Sequence, residues 1–151
     1  MKLESEQLLA GQKWDEAKSL LEKLVIVEPR NAELYNNLGV AQRHLGQVEQ
    51  AEEQFQKALS LQADFAEALN NLGVIYLKNR QLTQAEGSFE KAIAAKPEYA
   101  DPYFHLAMAA EAQGKIDLAK QQYEKFIHLA KGLDADFLLK IQQRIATGGT
   151  P

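Results

Sequence analysis

A period of 34 residues organises most of this chain and limits what it can fold into. The segment from Ala66 to Tyr99 aligns, when shifted by 34 residues either way, with residues 32–65 and with the segment that starts at Ala100. Four landmarks recur: Leu38, Leu72 and Leu106; Gly39, Gly73 and Ala107; Ala51, Ala85 and Ala119; Phe55, Phe89 and Tyr123. A fixed period of this length predicts stacked helix pairs, because a single pair cannot bury its apolar face alone.

Apolar residues spaced three and four apart predict one helix pair in each copy. The predicted pairs are 32–45 with 48–61, 66–78 with 82–95, and a third pair that has Pro102 in its first turn, continues to Gln113 and resumes at Ile116. Asn31 is the predicted N-cap of the first pair, and Gly46 is predicted to end its first helix in left-handed backbone. Arg80 stands where Gly46 and Gly114 stand, so Asn79 is predicted to take the left-handed position in that turn.

The beginning of the chain has the pattern of an incomplete repeat. Lys2–Ala10 and Lys13–Val27 are predicted helices, and the second keeps the alanine landmark of the period. Glu4 and Ser5 fall where leucine and glycine stand in the later copies. Residues 1–31 are therefore predicted to form a partial repeat that is incomplete or frayed.

The end of the chain departs from the period. Phe126 stands where two alanines stood in earlier copies, and a last helix is predicted with Asp134 as its N-cap. A solenoid must end in an element with one solvated face, so this helix is the predicted cap, and Phe126 is expected to pack against it. The predicted organisation is one domain over 1–146, containing the partial repeat 1–31, repeats 32–65, 66–99 and 100–133, a capping helix 134–146, and then a disordered tail 147–151.

These landmarks resemble the tetratricopeptide repeat family, whose pattern is an aromatic, two residues, Leu-Gly, two residues, an aromatic, then Ala, Phe and Pro. The best-matching copy carries Leu72, Gly73, Tyr76, Ala85, Phe89, Ala92 and Pro97. In the preceding copy Gln42 replaces the second aromatic residue and Ala63 replaces proline. The resemblance implies an all-α, right-handed superhelical solenoid of antiparallel helix pairs with a C-terminal capping helix.

The glycine and phenylalanine landmarks predict how the helices pack. A helical glycine costs ~1 kcal/mol relative to alanine, and such a cost persists where another helix approaches closely. Gly39 and Gly73 are therefore expected at close helix contacts, and Phe55 and Phe89 are expected to fill the space between neighbouring repeats.

Composition narrows the functional classes. Apolar residues make up 46 % of the chain, charged residues 25 %, and the net charge is −4, which is typical of a globular protein. The absence of a basic block argues against nucleic acid, and no apolar run reaches the ~20 residues that a membrane span needs. The chain has no cysteine, which excludes disulfides and thiolate chemistry. A cytoplasmic location is expected, with the periplasm possible if an export signal has been removed.

Each first helix carries a second stripe of residues that the predicted core does not use. In tetratricopeptide proteins this stripe lines a concave groove that holds extended peptides or partner helices, and the resemblance implies the same use here. The predicted peptide-binding residues are Asn36, Asn37, Val40 and His44 in one copy, Asn70, Asn71, Val74 and Lys78 in the next, and Phe104, His105 and Met108 in the last.

The stripe allows alternatives. Asn37 and Asn71 resemble the asparagine ladder of O-linked GlcNAc transferases, whose amides pair with a peptide backbone, but solvated asparagines could also recur through duplication. The apolar members form either a groove floor, with Phe104 and Met108 as anchor, or part of the core. The acids Glu33, Glu67 and Asp101 either line the groove or offset helix dipoles. The bases Arg43, His44 and Lys78 either line its opposite edge or are solvated.

The main hypothesis is a non-catalytic scaffold for protein–protein interaction, without cofactor or metal. His44, His105 and His128 lie in three different predicted helices, and no catalytic or phosphate-binding motif occurs. The carboxylate clamp of chaperone-binding relatives needs Lys and Asn at set positions, which here hold Asn36, Asn70, Val40 and Val74, so binding of chaperone tails is not expected. Alternatives are a self-associating assembly protein that forms a homo-oligomer, or a segment of a larger enzyme such as a glycosyltransferase.

Overall fold

The computed structural model describes residues 1–148, which contain nine α-helices joined by short turns and no strand. The helices are α1 (Lys2–Ala10), α2 (Trp14–Val27), α3 (Ala32–His44), α4 (Val48–Leu61), α5 (Ala66–Lys78), α6 (Leu82–Ala95), α7 (Asp101–Ala112), α8 (Ile116–Leu129) and α9 (Ala135–Thr147). The prediction of an all-α helical repeat is confirmed, and the predicted helix bounds agree with these within one or two residues.

The chain divides into two compact units, Met1–Leu72 and Gly73–Pro151, with the boundary inside α5. In the first unit α2 packs on both α1 and α3, and α3 packs on α4. In the second unit α7 packs on both α6 and α8, and α8 packs on α9. Each unit thus encloses its own buried apolar cluster between consecutive helices.

A glycine in each central repeat makes room for an aromatic ring of the same repeat. A Cβ atom built on Gly39 would lie 2.7 Å from Cε1 of Phe55, and one on Gly73 would lie 2.5 Å from Cε1 of Phe89. Both phenylalanines are fully buried. The close contact expected at these glycines is therefore present, but it is made by a ring that fills its own helix pair.

The first repeat is short but keeps the same register. Ser5 and Leu21 lie 34 residues before Gly39 and Phe55, and both are fully buried. Leucine is smaller than phenylalanine at this position, which leaves space for a serine instead of a glycine. The Ser5 hydroxyl donates to the carbonyl of Lys2 at 2.7 Å. Within the predicted partial repeat, α1 therefore packs on α2 and contributes a buried residue.

The turns within the helix pairs repeat one hydrogen-bonding pattern. The left-handed residue is Gln12 (φ 56), Gly46 (φ 77), Arg80 (φ 62) or Gly114 (φ 73). The amide that follows bonds to the carbonyl five residues back, as from Gln81 to Tyr76 at 2.9 Å. Asn79 was the predicted left-handed residue, and this was wrong. The register of the turn fixes the position, and it outweighs the preference of asparagine for that conformation.

Replacing Arg80 with glycine should raise the free energy of unfolding by about 1 kcal/mol, because glycine adopts positive φ without the steric cost that a Cβ brings. Thermal and denaturant unfolding would measure the gain. Gln12→Gly is the matched change in the first unit and should give a gain of similar size. A loss of stability in Arg80→Gly would contradict this account of the turn.

Asn31 occupies the N-cap position of α3 but does not use its side chain as a cap. Its amide donates instead to the Glu28 carboxylate, with Nδ2 2.7 Å from Oε2. At α9 the predicted cap is confirmed, since Asp134 Oδ1 accepts from the Phe137 amide at 2.9 Å. The starts of α3 and α9 therefore differ, since only α9 has a side-chain cap.

Helix α9 is held by a ring contact and a polar cluster. The rings of Phe126 and Phe137 meet edge to face at 6.3 Å, as the capping role predicts. Arg144 pairs with Glu111 Oε2 at 3.2 Å, and the Tyr123 hydroxyl donates to the same oxygen at 2.9 Å. The helix extends through Thr147, which corrects the predicted start of the tail at that residue, and residues 149–151 of the predicted tail lie outside the described residues.

The Tyr123 phenol should make stability depend on alkaline pH. Burial, together with the hydrogen bond to Glu111, raises the pKa of Tyr123 above its usual value of about 10. The folded state therefore favours the neutral phenol. The contribution of Tyr123 to the free energy of unfolding is complete below pH ~10 and is lost as the pH rises further. Denaturant unfolding between about pH 9 and 11 should show this decline, and Tyr123→Phe should reduce its slope.

Part of the slope should remain in that variant, because burial also raises the pKa of Tyr103. An identical slope in Tyr123→Phe and the unmodified protein would contradict the assignment.

Candidate binding surface

The paired asparagines of the first unit differ in exposure. Asn36 and Asn70 are buried, at 6 % and 4 % exposure, whereas Asn37 and Asn71 are half-buried. Asn71 Nδ2 donates to Asn36 Oδ1 at 3.0 Å, which joins α5 to α3. Asn36 Nδ2 in turn lies 3.4 Å from Asn37 Oδ1. Asn36 and Asn70, which are among the predicted peptide-binding residues, thus lie buried in the first unit, whereas the predicted ladder residues Asn37 and Asn71 are partly accessible.

The other predicted residues of the first unit are Val40 and His44, both on α3. Val40 is half-buried on α3. The exposed His44 imidazole stacks on the indole of Trp14 in α2, with ring centroids 3.9 Å apart and planes only 2° from parallel. His44 thus contacts the second helix of the preceding pair, which the groove prediction did not anticipate.

The second unit contains a cavity of about 550 Å³ on the first-helix faces of α5 and α7. Its lining residues are Val74, Leu77, Lys78, Arg80, Phe104, His105, Met108 and Ala112. All five predicted site residues of this unit are among them. The structure thus brings together Val74, Lys78 and the three predicted residues of α7. Most of the lining is apolar, and the polar groups come from only three side chains.

Phe104 belongs to the core as well as to the cavity. Its ring lies 5.2 Å from that of Phe126, 5.6 Å from that of Phe137 and 5.7 Å from that of Tyr123. Met108 is also half-buried and packs against the same cluster. The two alternatives for these residues are therefore compatible, since core contacts hold the side chains that form the cavity wall.

His105 is held in the wall by aromatic contacts. Its ring lies 5.5 Å from that of Phe89 at an angle of 28°, and 5.7 Å from the ring of Phe104 at 69°. The ring planes of His105 and Phe89 are thus close to parallel, as in a stacked pair. The imidazole is half-buried and contributes a polar edge to an otherwise apolar surface.

One of the three acids considered as groove-lining residues, Glu33, forms an ion pair within the fold. Glu33 binds Lys2 of α1, with Oε2 2.6 Å from Nζ, and this contact raises the pKa of Lys2. In the cavity the charged groups are the cations Lys78 and Arg80. Arg80 was missed as a site residue, although one signal was available: it is the charged residue at a position that holds glycine in the copies on either side.

A second depression, of about 680 Å³, lies in the first unit against the α2–α3 turn and the end of α4. It is lined by Glu28, Pro29, Arg30, Asn31, Ala32, Glu33, Leu61 and Gln62. Ligand sites in proteins are mostly apolar with a few placed polar groups, and the cavity on α5 and α7 fits that description better.

Within residues 1–148, no group of three His, Asp or Glu side chains is arranged to hold a metal ion. None of the helices in this range combines the length and apolarity needed to traverse a lipid bilayer.

Comparison with solved structures finds similar folds. A crystal structure of MamA aligns with a TM-score of 0.78 and 26 % identity, covering 95 % of this chain and 81 % of that one. MamA from residue 41 to its end, from Desulfovibrio magneticus RS-1, aligns at 0.79 and 23 % identity, covering 97 % and 80 %. The first tetratricopeptide repeat domain of Spaghetti (RPAP3), solved with the HSP90 peptide SRMEEVD, aligns at 0.67 and 22 %, covering 76 % and 93 %.

Comparison with curated protein sequences gave no match. A sequence model of one family, the middle TPR-like domain of cilia and flagella-associated protein 70, matches residues 3–130. Families of this type are generally non-catalytic scaffolds for protein interaction. The chain belongs to this family of tetratricopeptide-like domains, as the 34-residue period and its landmarks indicated.

Proposed function

We propose that this protein is an interaction scaffold that binds an extended peptide or a partner helix on the exposed faces of its first helices. The cavity on α5 and α7 is the observation that carries this proposal. It is concave and mainly apolar, and its walls are fixed by core contacts of Phe104 and Met108. A wall that is rigid before binding loses little conformational entropy when a ligand docks.

Asn37 and Asn71 would add backbone recognition in the first unit. Each amide offers two donors and an acceptor, and the bond to Asn36 uses only one donor of Asn71. The alanine variants Asn37→Ala and Asn71→Ala test this part separately. HSP90 tails are not part of the proposal, because the clamp positions hold Asn36, Asn70 and two valines.

Replacing Met108 with glutamate should weaken peptide binding by about tenfold or more, because the carboxylate would have to be desolvated in an apolar wall. The measurement is fluorescence anisotropy with peptides that the unmodified protein selects from a random synthetic peptide array. Leu139→Glu is the matched control, since Leu139 is 52 % exposed on α9 of the same unit and does not line the cavity. Circular dichroism of both variants checks folding.

Two results would contradict the proposal. One is an array from which the folded protein selects no peptide. The other is a Met108→Glu variant that is folded and binds the selected peptides as tightly as the Leu139→Glu control. Light scattering of the free protein over a concentration series separates peptide binding from self-association.

A further inference from the structure

The cavity of the second unit is positively charged in a protein that carries a net charge of −4. Its lining contains Lys78 and Arg80 and no carboxylate. Two other cations of this unit, Lys115 and Arg144, are paired with carboxylates. Lys115 lies 2.8 Å from both carboxylate oxygens of Glu86, and Arg144 pairs with Glu111. Among the described residues, no acid lies within ion-pair distance of Lys78 or Arg80.

One of these cations has a simple structural explanation and the other does not. Lys78 ends α5, where a positive charge offsets the helix dipole. Arg80 lies beyond the helix, at the left-handed position that Gly46 and Gly114 occupy in neighbouring repeats. The strain there is not unique, because Gln12 adopts the same conformation. What distinguishes Arg80 is its guanidinium at the edge of an apolar cavity.

A guanidinium and a lysine ammonium beside an apolar wall suit a particular ligand. The planar guanidinium binds a carboxylate through paired hydrogen bonds, and the flexible ammonium offers a second positive charge. We infer that the cavity on α5 and α7 selects a peptide segment in which large apolar residues are flanked by acidic ones, with Lys78 and Arg80 binding the acidic side chains. This inference rests on the proposed function and adds the chemistry of the partner.

Four synthetic peptides on one Gly-Ser background test the inference. Three carry a central Leu-Phe pair flanked by glutamates, by lysines or by serines, and the fourth carries glutamates around a central serine pair. Binding is measured by anisotropy in low and high salt. We expect the glutamate-flanked Leu-Phe peptide to bind roughly tenfold more tightly than the serine version, with the preference shrinking at high salt. The peptide without apolar residues should bind far more weakly than the Leu-Phe peptide with the same flanks.

Two glycine variants isolate the side chain of Arg80 from its backbone. Arg80→Gly and Gln12→Gly relieve the same left-handed strain, but only the first removes a cation from the cavity. The acidic preference should fall several-fold in Arg80→Gly and disappear in Lys78→Glu/Arg80→Glu, while Gln12→Gly should bind like the unmodified protein. The serine-flanked peptide should lose less affinity in Arg80→Gly than the glutamate-flanked peptide does.

The outcomes separate this inference from the proposed function. Binding of Leu-Phe peptides without charge preference, or with a preference for lysine flanks, overturns the inference alone. A preference for acid that survives Lys78→Glu/Arg80→Glu also overturns it. If none of the four peptides binds but the random array yields ligands, the peptide class is wrong and the scaffold proposal stands. If the array yields none either, both fail.

Discussion

Replacing Phe55 with alanine should lower the free energy of unfolding by roughly 3–5 kcal/mol, the largest loss we expect from a single truncation in the first unit. The ring is fully buried, and its Cε1 atom lies so close to Gly39 that no side chain fits there. Removing it leaves a cavity bordered by a glycine, which has no side chain that could move into the space. The lost apolar contacts and the unfilled volume therefore add together.

Denaturant unfolding followed by circular dichroism would measure this effect. Phe55→Leu is the informative companion, because Leu21 fills the equivalent position of the first repeat. Leucine should recover much of the stability while leaving part of the cavity. Ile26→Ala serves as the exposed control, since Ile26 is 78 % exposed, and it should change stability by no more than about 0.5 kcal/mol. A Phe55→Ala variant as stable as that control would contradict the packing described here.

Most of this fold can be predicted from the sequence because of the 34-residue period. Once three copies are aligned, each helix is supported by several independent matches, so their bounds emerge within one or two residues. Arg80 shows how strong that constraint is. Local preference favoured Asn79 for the left-handed position, but the hydrogen bond from Gln81 to Tyr76 needs the residue between Asn79 and Gln81 to turn the chain.

The candidate site was less predictable, because it depends on how each helix is rotated. Neighbouring residues on a helix point about 100° apart, so a small rotation decides which member of an Asn-Asn pair is buried. Sequence alone did not distinguish Asn36, which is inside, from Asn37, which is half-exposed. The period also placed Arg80 only as a turn residue. Its position at the cavity depends on side chains of two other segments, and no spacing rule reports that.

Phe104 and Met108 illustrate a second limit. A pattern assigns a residue to one face, whereas Phe104 packs against three rings and also borders the cavity. From the sequence pattern alone, the core and the cavity wall are alternative places for these two residues. Both alternatives are correct, because one side of a large side chain can pack in the core while the other side lines the cavity. Only the three-dimensional structure shows which neighbours each side contacts.

Gly73→Leu should abolish cooperative folding of the second unit or lower its stability by more than about 3 kcal/mol. A Cβ atom at this position would already lie 2.5 Å from Cε1 of Phe89, and leucine adds a branched group beyond it. The ring cannot retreat, because Phe89 is fully buried. Circular dichroism and thermal unfolding should show lost helicity or a much lower Tm.

Two further changes separate overpacking from the general effect of replacing a helical glycine. Gly87 lies in α6, and a Cβ there meets no atom within 4 Å, so Gly87→Ala should stabilise the helix by up to ~1 kcal/mol. Gly73→Ala should instead destabilise, by less than the leucine change, because the last repeat accommodates Ala107 at this position. In a Phe89→Leu background the alanine penalty should shrink, since leucine lacks the Cε1 and Cζ atoms that the added Cβ would meet. If Gly73→Ala and Gly87→Ala stabilise equally, or if Gly73→Leu melts at the normal temperature, the glycine is not required by the ring.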